Sequence, residues 1–548
     1  MRINLISNFT SKGLTQDCAI LRGLITNQFP NSEIRKIQHY LPECPEAELN
    51  IFVESVNPAL FHSASKNIWI PNPEWTYRTW TPYMKMFDEI WVKTHEALEI
   101  FSKFSTNVKY IGWTSIDKMF PEIKKDYSKA IVLVGKNVYR NPKPILKTYY
   151  DILLSNPELY ANLPELHIPY KKDEVQFYIP KELTNKVIFY DVISEKDYDD
   201  LLHTCGLAIC TSVCEGFCHA VNEAMSAGCN LILSPIKPFQ ELAPNALFSD
   251  TYKTLEHPAT FCTLVDIMGL KNVLIDYLRQ TKKEHENISE LNRIHYETRH
   301  KQFISEFKIP TIPEFSLEKL FIAESELPYV SIITLTYNRQ EFIPLAKYSY
   351  LIQSYPADKL EWVIINDGES IEELLIGIPN VKYIQLPEKI SIPEKRNIGI
   401  DNAMYDVLVM MDDDDVYPNN SILTRVSMML YEPKKECVFC TTIPCYDIQK
   451  RISFMNVPPN SLEMSERVSE ATLCFTRDFY NERCFQGLPE GDKFIRGREQ
   501  MCREISPQNV IVSLVHSKNI SSRKISGEAN GCHYGFCNEL FELVESIS

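Results

Sequence analysis

The sequence predicts an α/β protein with two Rossmann-like domains followed by a third α/β domain. At roughly 150 residues per domain, 548 residues suggest about three to four domains. Short β-type runs alternate with longer helix-compatible stretches, which favours mainly parallel sheets. The alternation starts again after a proline-containing segment near residue 311. With 44% hydrophobic and 24% charged residues, the composition is that of a folded globular protein.

The strand-like runs of the first 310 residues fall into two series. The first series lies at 2–7, 49–54, 66–70, 88–92 and 108–112. The second lies at 130–135, 165–170, 186–191, 207–212 and 230–234. A helical, strongly charged stretch follows at 266–307. We therefore predict one Rossmann-like domain over 1–125 and another, with trailing helices, over 126–310.

A linker is predicted over 311–327, where IPTIPEF and ESELP supply proline and polar residues. Strand-like runs then resume, and the third domain is predicted over 328–548. Its strand-like runs lie at 329–338, 361–368, 381–386 and 406–415.

Charge and composition exclude several classes of protein. The net charge of −15 disfavours nonspecific binding to nucleic acid. No run approaches about 18 apolar residues, so no transmembrane segment is expected, and the start lacks a secretory signal. The 16 cysteines are scattered in apolar runs, which favours buried reduced thiols and a cytoplasmic protein. No dinucleotide fingerprint or Walker A loop supports NAD-dependent oxidation or ATP hydrolysis.

Four consecutive carboxylates, Asp412 to Asp415, follow the apolar run VLVMM and are called the acidic cluster below. Adjacent like charges repel one another, and a divalent cation offsets that cost. In isolation such a run would be a solvated turn. Here it follows the motifs VSIITLTYNR, IINDG and EKRNIGIDNA in that order.

This ordered set resembles glycosyltransferase family 2, whose members have the GT-A fold, a single nucleotide-diphospho-sugar transferase domain. The resemblance covers about 326–520. It implies Mn²⁺ or Mg²⁺ as cofactor and inversion at the anomeric carbon. It further implies Asp414 as metal ligand, Asp412 as ribose contact and Asp367 as base contact, although the second strand ends in Asn366 and Asp367 rather than two acidic residues. The other residues implied to bind the donor are Thr336, Tyr337, Asn338, Arg339, Arg396, Asn397 and Asp413.

Two further positions extend this resemblance. The segment LPEGDKFIRGRE places Asp492 where relatives carry the base that deprotonates the acceptor hydroxyl, and Glu490 is the second candidate. Otherwise the two carboxylates would only favour a helix N-terminus. His516 matches a late histidine that reaches the metal or the diphosphate in relatives, while a lone histidine is more often structural.

A second constellation lies at 206–234 in the sequence GLAICTSVCEGFCHAVNEAMSAGCNLILS. A strand, a Glu-Gly turn, an amphipathic helix and another strand would aim helix amides at a diphosphate. The alternative is an ordinary βαβ crossover. The series resembles glycosyltransferase family 4, which has the GT-B fold of two Rossmann-like domains, although Cys218 stands where glycine is common.

That resemblance implies retention of configuration and no cofactor in the N-terminal half. Glu223 would bind the donor ribose, and Glu215 would contact the sugar or assist catalysis. Basic residues after a strand would offset the diphosphate, and Gly13 would form a glycine-containing loop. The basic candidates are Lys136, Arg140 and Lys143.

Taken together, these patterns predict a bifunctional glycosyltransferase. Its donors would be UDP-, GDP- or dTDP-sugars, its acceptor a glycan, a glycoprotein or a lipid-linked sugar, and its possible assembly a homo-oligomer. In one alternative, only the C-terminal domain is catalytic and the N-terminal half binds glycan or acts as a scaffold. In the other, the C-terminal domain is a sugar nucleotidyltransferase, against which the candidate base Asp492 counts.

Overall fold

A computed structural model gives the fold of the chain. It describes residues 1–548 except 10, 42, 121–123, 136–138, 141, 172–178, 180, 257–259, 311, 313–323, 432–433, 460–461, 520–535 and 548. Most of the predicted linker 311–327 lies outside the described residues. The domain boundaries remain predictions.

The first sheet is entirely parallel. Its strands are β1 (Arg2–Ser7), β2 (Glu33–Gln38), β3 (Ala47–Val53), β4 (Ala64–Ile70), β5 (Glu89–Val92) and β6 (Val108–Tyr110). They lie in the order β2-β1-β3-β4-β5-β6. The helices are α1 (Lys12–Gln28) and α2 (His95–Phe101), with 3₁₀ helices at Pro58–Ser63, Pro73–Trp75 and Arg78–Met86. Sequence reasoning missed the edge strand β2, because in EIRKIQ only Ile37 is fully buried.

The second sheet is also parallel. Its strands are β7 (Asp126–Val132), β8 (Glu165–Ile168), β9 (Val187–Phe189), β10 (Cys205–Cys210), β11 (Asn230–Leu233) and β12 (Leu247–Phe248). Their order, β12-β11-β10-β7-β8-β9, is the doubly wound order in which ligands bind at the carboxyl ends of the central strands.

Helices cover the second sheet, and a separate two-stranded hairpin follows its last strand in the chain. The helices are α3 (Lys143–Ser155), α4 (Pro157–Asn162), α5 (Glu195–Thr204), α6 (His219–Ser226), α7 (Lys237–Leu242), α8 (Ile267–Arg279) and α9 (Lys282–Glu306), with a 3₁₀ helix at Lys181–Leu183. The hairpin of β13 (Thr251–Glu256) and β14 (Phe261–Val265) is antiparallel and was not predicted.

The end of α9 crosses back onto the first sheet. The ring of Phe303 lies 5.0 Å from Trp113, and the ring of Phe307 lies 5.5 Å from Trp91. The side chain of Gln28 in α1 also bonds the backbone after α9, because its amide oxygen accepts from Ile309 N at 3.1 Å. The long helix therefore ties the two Rossmann-like sheets together.

The third domain has a mixed sheet and a smaller sheet beside it. Its strands are β15 (Val330–Thr336), β16 (Leu360–Asn366), β17 (Val381–Gln385), β18 (Val407–Met410), β19 (Asp415–Val416), β20 (Cys437–Phe439), β21 (Ile443–Asp447), β22 (Ile452–Asn456), β23 (Cys474–Thr476), β24 (Cys502–Glu504) and β25 (Val512–Val515). The larger sheet has the order β17-β16-β15-β18-β23-β20-β24, and the smaller one β19-β25-β21-β22. Parallel strands β15, β16 and β18 end on the side where the predicted site residues lie.

The helices of this domain are shorter. They are α10 (Ile343–Leu351), α11 (Ile392–Asp401), α12 (Ser421–Leu430), α13 (Arg477–Glu482), α14 (Glu490–Ile495) and α15 (Asn538–Ser546). The 3₁₀ helices are Glu324–Glu326, Gln340–Phe342, Ala357–Lys359, Glu372–Leu375, Ser465–Arg467, Glu470–Thr472 and Glu499–Met501. Two Rossmann-like sheets followed by this third domain confirm the predicted fold class.

The first and third domains share a packed interface. The 3₁₀ helix Arg78–Met86 contacts β24, and Tyr83 is fully buried there in one hydrophobic cluster with Val438 and Ile505. A fully buried tyrosine removes a large aromatic surface from water and therefore contributes strongly to this interface.

None of the described helices has the length and apolarity to cross a membrane.

Candidate active sites

The acidic cluster lies directly after β18 in the third domain. Carboxylate oxygens of Asp412, Asp414 and Asp415 lie within 4.8 Å of one another. Asp415 begins β19, and its Oδ1 accepts hydrogen bonds from Ser513 Oγ at 2.7 Å and from Leu514 N at 3.1 Å. Strand β25 thus holds Asp415 in place. The resemblance assigns no role to Asp415, because the family's Asp-any-Asp pattern ends at Asp414.

Arg339 and His516 supply positive charge and a hydrogen bond to the acidic cluster. Nη1 of Arg339 donates to Asp413 Oδ1 at 2.8 Å and to Asp414 Oδ2 at 2.7 Å. Nε2 of His516 lies 3.2 Å from the same Asp414 oxygen. The turn before Arg339 contains Asn338 at a φ of 49°, in the left-handed region. The structure therefore brings Arg339 to the acidic cluster, whereas its nucleotide contact stays a prediction.

The pKa values of the neighbouring carboxyls Asp413 and Asp414 are shifted in opposite directions. Burial and the adjacent Asp414 raise the pKa of Asp413 to about 7, against the opposing effect of Arg339. Burial opposes ionisation of Asp414 too, but the hydrogen bond with His516 and the charge of Arg339 lower its pKa. The Asp414 carboxylate therefore stays ionised and can act as an anionic metal ligand.

The residues present fit a divalent cation. The donor set consists of carboxylate oxygens with an imidazole beside them, which suits Mg²⁺ or Mn²⁺. Asp413 lies outside this donor set, because its carboxylate accepts a hydrogen bond from Arg339 at 2.8 Å.

Asp367, the predicted base contact, lies at the end of β16 in a buried ion pair. Lys395 Nζ lies 2.5 Å from Asp367 Oδ1 and also donates to Thr336 O at 3.2 Å. Lys389 Nζ lies 4.0 Å from the centre of the Tyr337 ring. Sequence reasoning missed both lysines, although Lys395 stands next to Arg396 in a quoted motif. Together they place positive charge beside the predicted nucleotide residues.

Two loops approach closely beside this ion pair. Oδ1 of Asn338 accepts from Glu369 N at 2.9 Å. A β-carbon added at Gly368 would lie 2.6 Å from Asn338 N, so only glycine allows this approach. The close packing of these two loops therefore explains why the IINDG motif ends in glycine.

The two candidate bases differ in their surroundings. Glu490 Oε1 accepts from Arg396 Nε at 3.0 Å, and Arg396 also lies 3.8 Å from Asp412. Burial raises the pKa of Glu490 despite Arg396. Asp492 receives 2.8 Å hydrogen bonds from Arg496 Nη2 on both oxygens, which lower its pKa. Asp492 is the more readily ionised of the two.

Asn397 has a different environment from its neighbour Arg396. Its side chain donates to Phe485 O and accepts from Phe485 N, each at 3.0 Å. This pairing anchors the segment before α14, which carries both candidate bases. The predicted donor contact of Asn397 remains a prediction.

Glu215 lies in the turn between β10 and α6, at the carboxyl end of the second sheet. Its Oε1 lies 2.9 Å from Arg140 Nε and accepts from Ser212 Oγ at 2.6 Å. Arg140 is therefore next to Glu215, while Lys143 is an exposed residue at the start of α3. Lys136 lies outside the described residues.

Gly13 and Glu223 lie at one junction between the Rossmann-like domains. Gln16 in α1 donates to Glu223 Oε1 in α6 at 2.7 Å. The prediction that Gly13 forms a loop is wrong, because Gly13 is the second residue of α1, and a β-carbon there would lie 3.9 Å from the His219 ring. The N-terminal ends of α1 and α6 thus face one another, as a donor site in a cleft requires.

A buried charged network that sequence reasoning missed spans the same junction. Lys93 Nζ donates to Asp17 Oδ2 at 2.5 Å, and His219 Nε2 lies 2.8 Å from Asp17 Oδ1. Burial opposes ionisation of Asp17, yet Lys93 and His219 lower its pKa to about 2. Asp17 has the position of an ordinary buried helix residue, so the sequence carries no signal for this network.

Cys218, the position where relatives commonly have glycine, has a φ of 65° and precedes α6. This left-handed conformation is the reason that glycine is favoured there. An open cleft of about 160 Å³ lies nearby and is lined by Glu215, Lys237 and Phe261 among others.

Comparisons with known proteins agree with both resemblances. Residues 331–478 match the model for Glycosyl transferase family 2, and residues 169–247 match Glycosyl transferases group 1. These matches confirm that the chain carries a family 2 segment and, in its N-terminal half, a segment of a GT-B family.

Three similar proteins have related descriptions. An uncharacterized glycosyltransferase of Haemophilus influenzae is 29% identical over 110 residues, which are 19% of this chain and 43% of that protein. The mannosyltransferase PcManGT from Pyrobaculum calidifontis, solved with GDP-Man and Mn²⁺, has 16% identity and a TM-score of 0.29 over 36% of this chain and 59% of its own. The GtfA/B complex has 13% identity and a TM-score of 0.35 over 48% and 57%. The chain spans less than two thirds of each of these proteins.

Proposed function

We propose that the chain is a bifunctional glycosyltransferase that transfers sugars from nucleotide-sugar donors to a glycan or related acceptor. The observation that carries this proposal is the pair of buried carboxylate sites, each at the carboxyl ends of parallel strands. One contains Arg339 with the acidic cluster, and the other contains Arg140 with Glu215. The two family matches support the same chemistry for both halves.

In the C-terminal site the proposed reaction is a single displacement with inversion. Asp412, Asp414 and Asp415 would hold a divalent cation, with His516 beside Asp414. When bound, the cation supplies positive charge that offsets the diphosphate leaving group. Arg339 adds a fixed positive charge on the same side.

Asp492 is the proposed base of this site. The base accepts the proton of the acceptor hydroxyl as its oxygen attacks the anomeric carbon and the bond to the diphosphate breaks. Arg496 keeps Asp492 ionised and orients it through two hydrogen bonds of 2.8 Å. Asp367 with Lys395 and Tyr337 would bind the nucleotide at the end of β16 and β15.

In the N-terminal site the proposed reaction retains configuration. Glu223 would bind the donor ribose once Gln16 releases it, and Arg140 would face the diphosphate beside Glu215. The domain junction at α1 and α6 would position the acceptor against the donor, which lowers the entropic cost of the reaction.

Two observations favour a second candidate function, in which the N-terminal half is a scaffold. Glu215 and Glu223 both already have partners within the chain, and the helix Arg78–Met86 packs against the C-terminal domain. A binding half attached in this way would raise the local concentration of acceptor at the C-terminal site.

Nucleoside diphosphate release from UDP-, GDP- and dTDP-sugars tests the proposal. We expect Asp414→Asn or EDTA to reduce release from one donor by at least about 100-fold, and Glu223→Gln to reduce release from another. Exposed Asp358→Asn is the matched control and should change neither. If Glu223→Gln leaves every donor unaffected, the bifunctional proposal is wrong and the scaffold candidate is favoured.

A further inference from the structure

Glu74 brings a second carboxyl from the first domain to the Glu215 turn of the second. It lies in the 3₁₀ turn Pro73–Trp75 after β4 and is 8% exposed. A β-carbon added to Gly216 would lie 2.6 Å from Glu74 Oε2 and 2.7 Å from Pro73 Cδ. Glycine at 216 is therefore what allows the carboxyl to lie against the peptide that follows Glu215.

The two carboxyls have unequal partners. Arg140 and Ser212 both bind Oε1 of Glu215, so its negative charge is compensated. The Glu74 carboxyl is buried and has no ion-pair partner among the described residues, and its polar neighbours are the backbone amides of Glu74 and Gly216. The single guanidinium of Arg140 compensates only one of the two buried carboxyls. Because Arg140 pairs with Glu215, the negative charge is on Glu215 and Glu74 is neutral.

Burial and two neighbouring carboxylates outweigh the backbone amides of Glu74 and Gly216, which lower the pKa of the Glu74 carboxyl. Burial, Glu215 and Glu54 raise the pKa of Glu74 to about 8. Tyr139 and Cys214 also face it, and both are neutral because their own pKa values are raised. Arg140 is the cation on this side, and its strongest electrostatic partner is Glu215.

We propose that Glu74 and Glu215 form one carboxyl pair with a single proton, which rests on Glu74, and that Glu74 is a positioning residue of the N-terminal site. This rests on the proposed transfer activity of that half. A neutral Glu74 keeps the site from presenting a second negative charge to the anionic diphosphate of the donor. Because Glu74 follows β4 of the first sheet and Glu215 follows β10 of the second, the pair depends on the contact between these two parts of the chain.

The first experiment measures the donor KM of the N-terminal activity in an Asp414→Asn background. Between about pH 6.5 and about pH 9.5, we expect the KM to rise at least about fivefold as Glu74 ionises, while kcat changes less. Glu74→Gln stays neutral and should abolish this rise. Exposed Glu158→Gln is the control and should keep it. The proposal is overturned if Glu74→Gln retains the same rise or loses turnover at every pH while folded.

The second experiment does not depend on activity. Infrared spectra of the intact chain in D₂O report the carbonyl band of a protonated carboxylic acid. The difference between wild type and Glu74→Gln should contain this band at neutral pH and lose it above about pH 8. Glu215→Gln should move the loss of the band to lower pH, because a neighbouring charge is removed.

These results separate the two proposals. A band that behaves as expected without any Glu223-dependent turnover supports the pair and contradicts N-terminal transfer. Absence of the band from the difference spectrum at neutral pH overturns the pair, as does a midpoint that Glu215→Gln leaves unchanged.

Discussion

Replacing Asp17 with Asn should destabilise the junction between the Rossmann-like domains by about 3–5 kcal/mol, the usual cost of breaking a buried ion pair by removing one partner. Lys93 would lose its partner at 2.5 Å while both side chains are almost fully buried. The lowering of the Asp17 pKa from its ordinary 3.8 to about 2 accounts for about 2–3 kcal/mol of this. The remainder is the cost of leaving the Lys93 ammonium buried without its counter-charge.

The pH dependence of this effect has a defined sign. Because the folded pKa of Asp17 lies below 3.8, its stabilisation is complete above that pH and is lost as the pH falls through about 2. The contribution linked to ionisation should thus be constant near neutrality and fall by roughly half at about pH 3.

Urea unfolding combined with hydrogen exchange in α1 and α6 measures this loss locally. Asp151→Asn, on an exposed residue of α3, is the control and should change the free energy of unfolding by less than about 0.5 kcal/mol. Adding Lys93→Met to Asp17→Asn should recover part of the stability, because the unpaired charge is removed. A loss below about 1 kcal/mol at neutral pH, or no recovery in the double variant, would refute the reasoning.

Three further predictions concern other contacts. Gly216→Ala should reduce N-terminal transfer at least about tenfold, because the new β-carbon collides with Glu74, while C-terminal transfer is unchanged in the same donor assays. Tyr83→Ala should destabilise the interface with β24 by about 3–5 kcal/mol, measured by calorimetry of the intact chain. Arg339→Gln should tighten Mn²⁺ binding at least about tenfold in isothermal titration, because a fixed cation beside the acidic cluster is removed.

Each of these has a matched control. The exposed Gly23, whose β-carbon would meet nothing within 4 Å, should tolerate alanine without loss of either activity. Exposed Tyr252 should tolerate alanine at little cost in stability. Exposed Arg279→Gln should leave Mn²⁺ binding unchanged. Equal effects in a variant and its control would contradict the corresponding prediction.

The sequence alone determined most strands of the two Rossmann-like sheets, strands β15 to β18 of the third domain, and the two family resemblances. Apolar runs such as RINLIS became β1 as predicted, because a strand buried in a parallel sheet needs consecutive apolar residues. The acidic run directly after VLVMM had to lie at the carboxyl end of a strand, since the strand ends where the apolar residues end. Strand β2 and the β13 and β14 hairpin were missed, because few of their residues are buried and no long apolar run marks them.

Only the tertiary structure decided which charges meet. Asp17 is 76 residues from Lys93 and 202 from His219, so no local spacing relates them. The same holds for Arg339 with Asp413, which are 74 residues apart. A motif determines which chemical groups stand at the end of a strand. The protonation and orientation of those groups depend on burial and on partners from distant elements, because electrostatic energies follow distance in space and not along the chain.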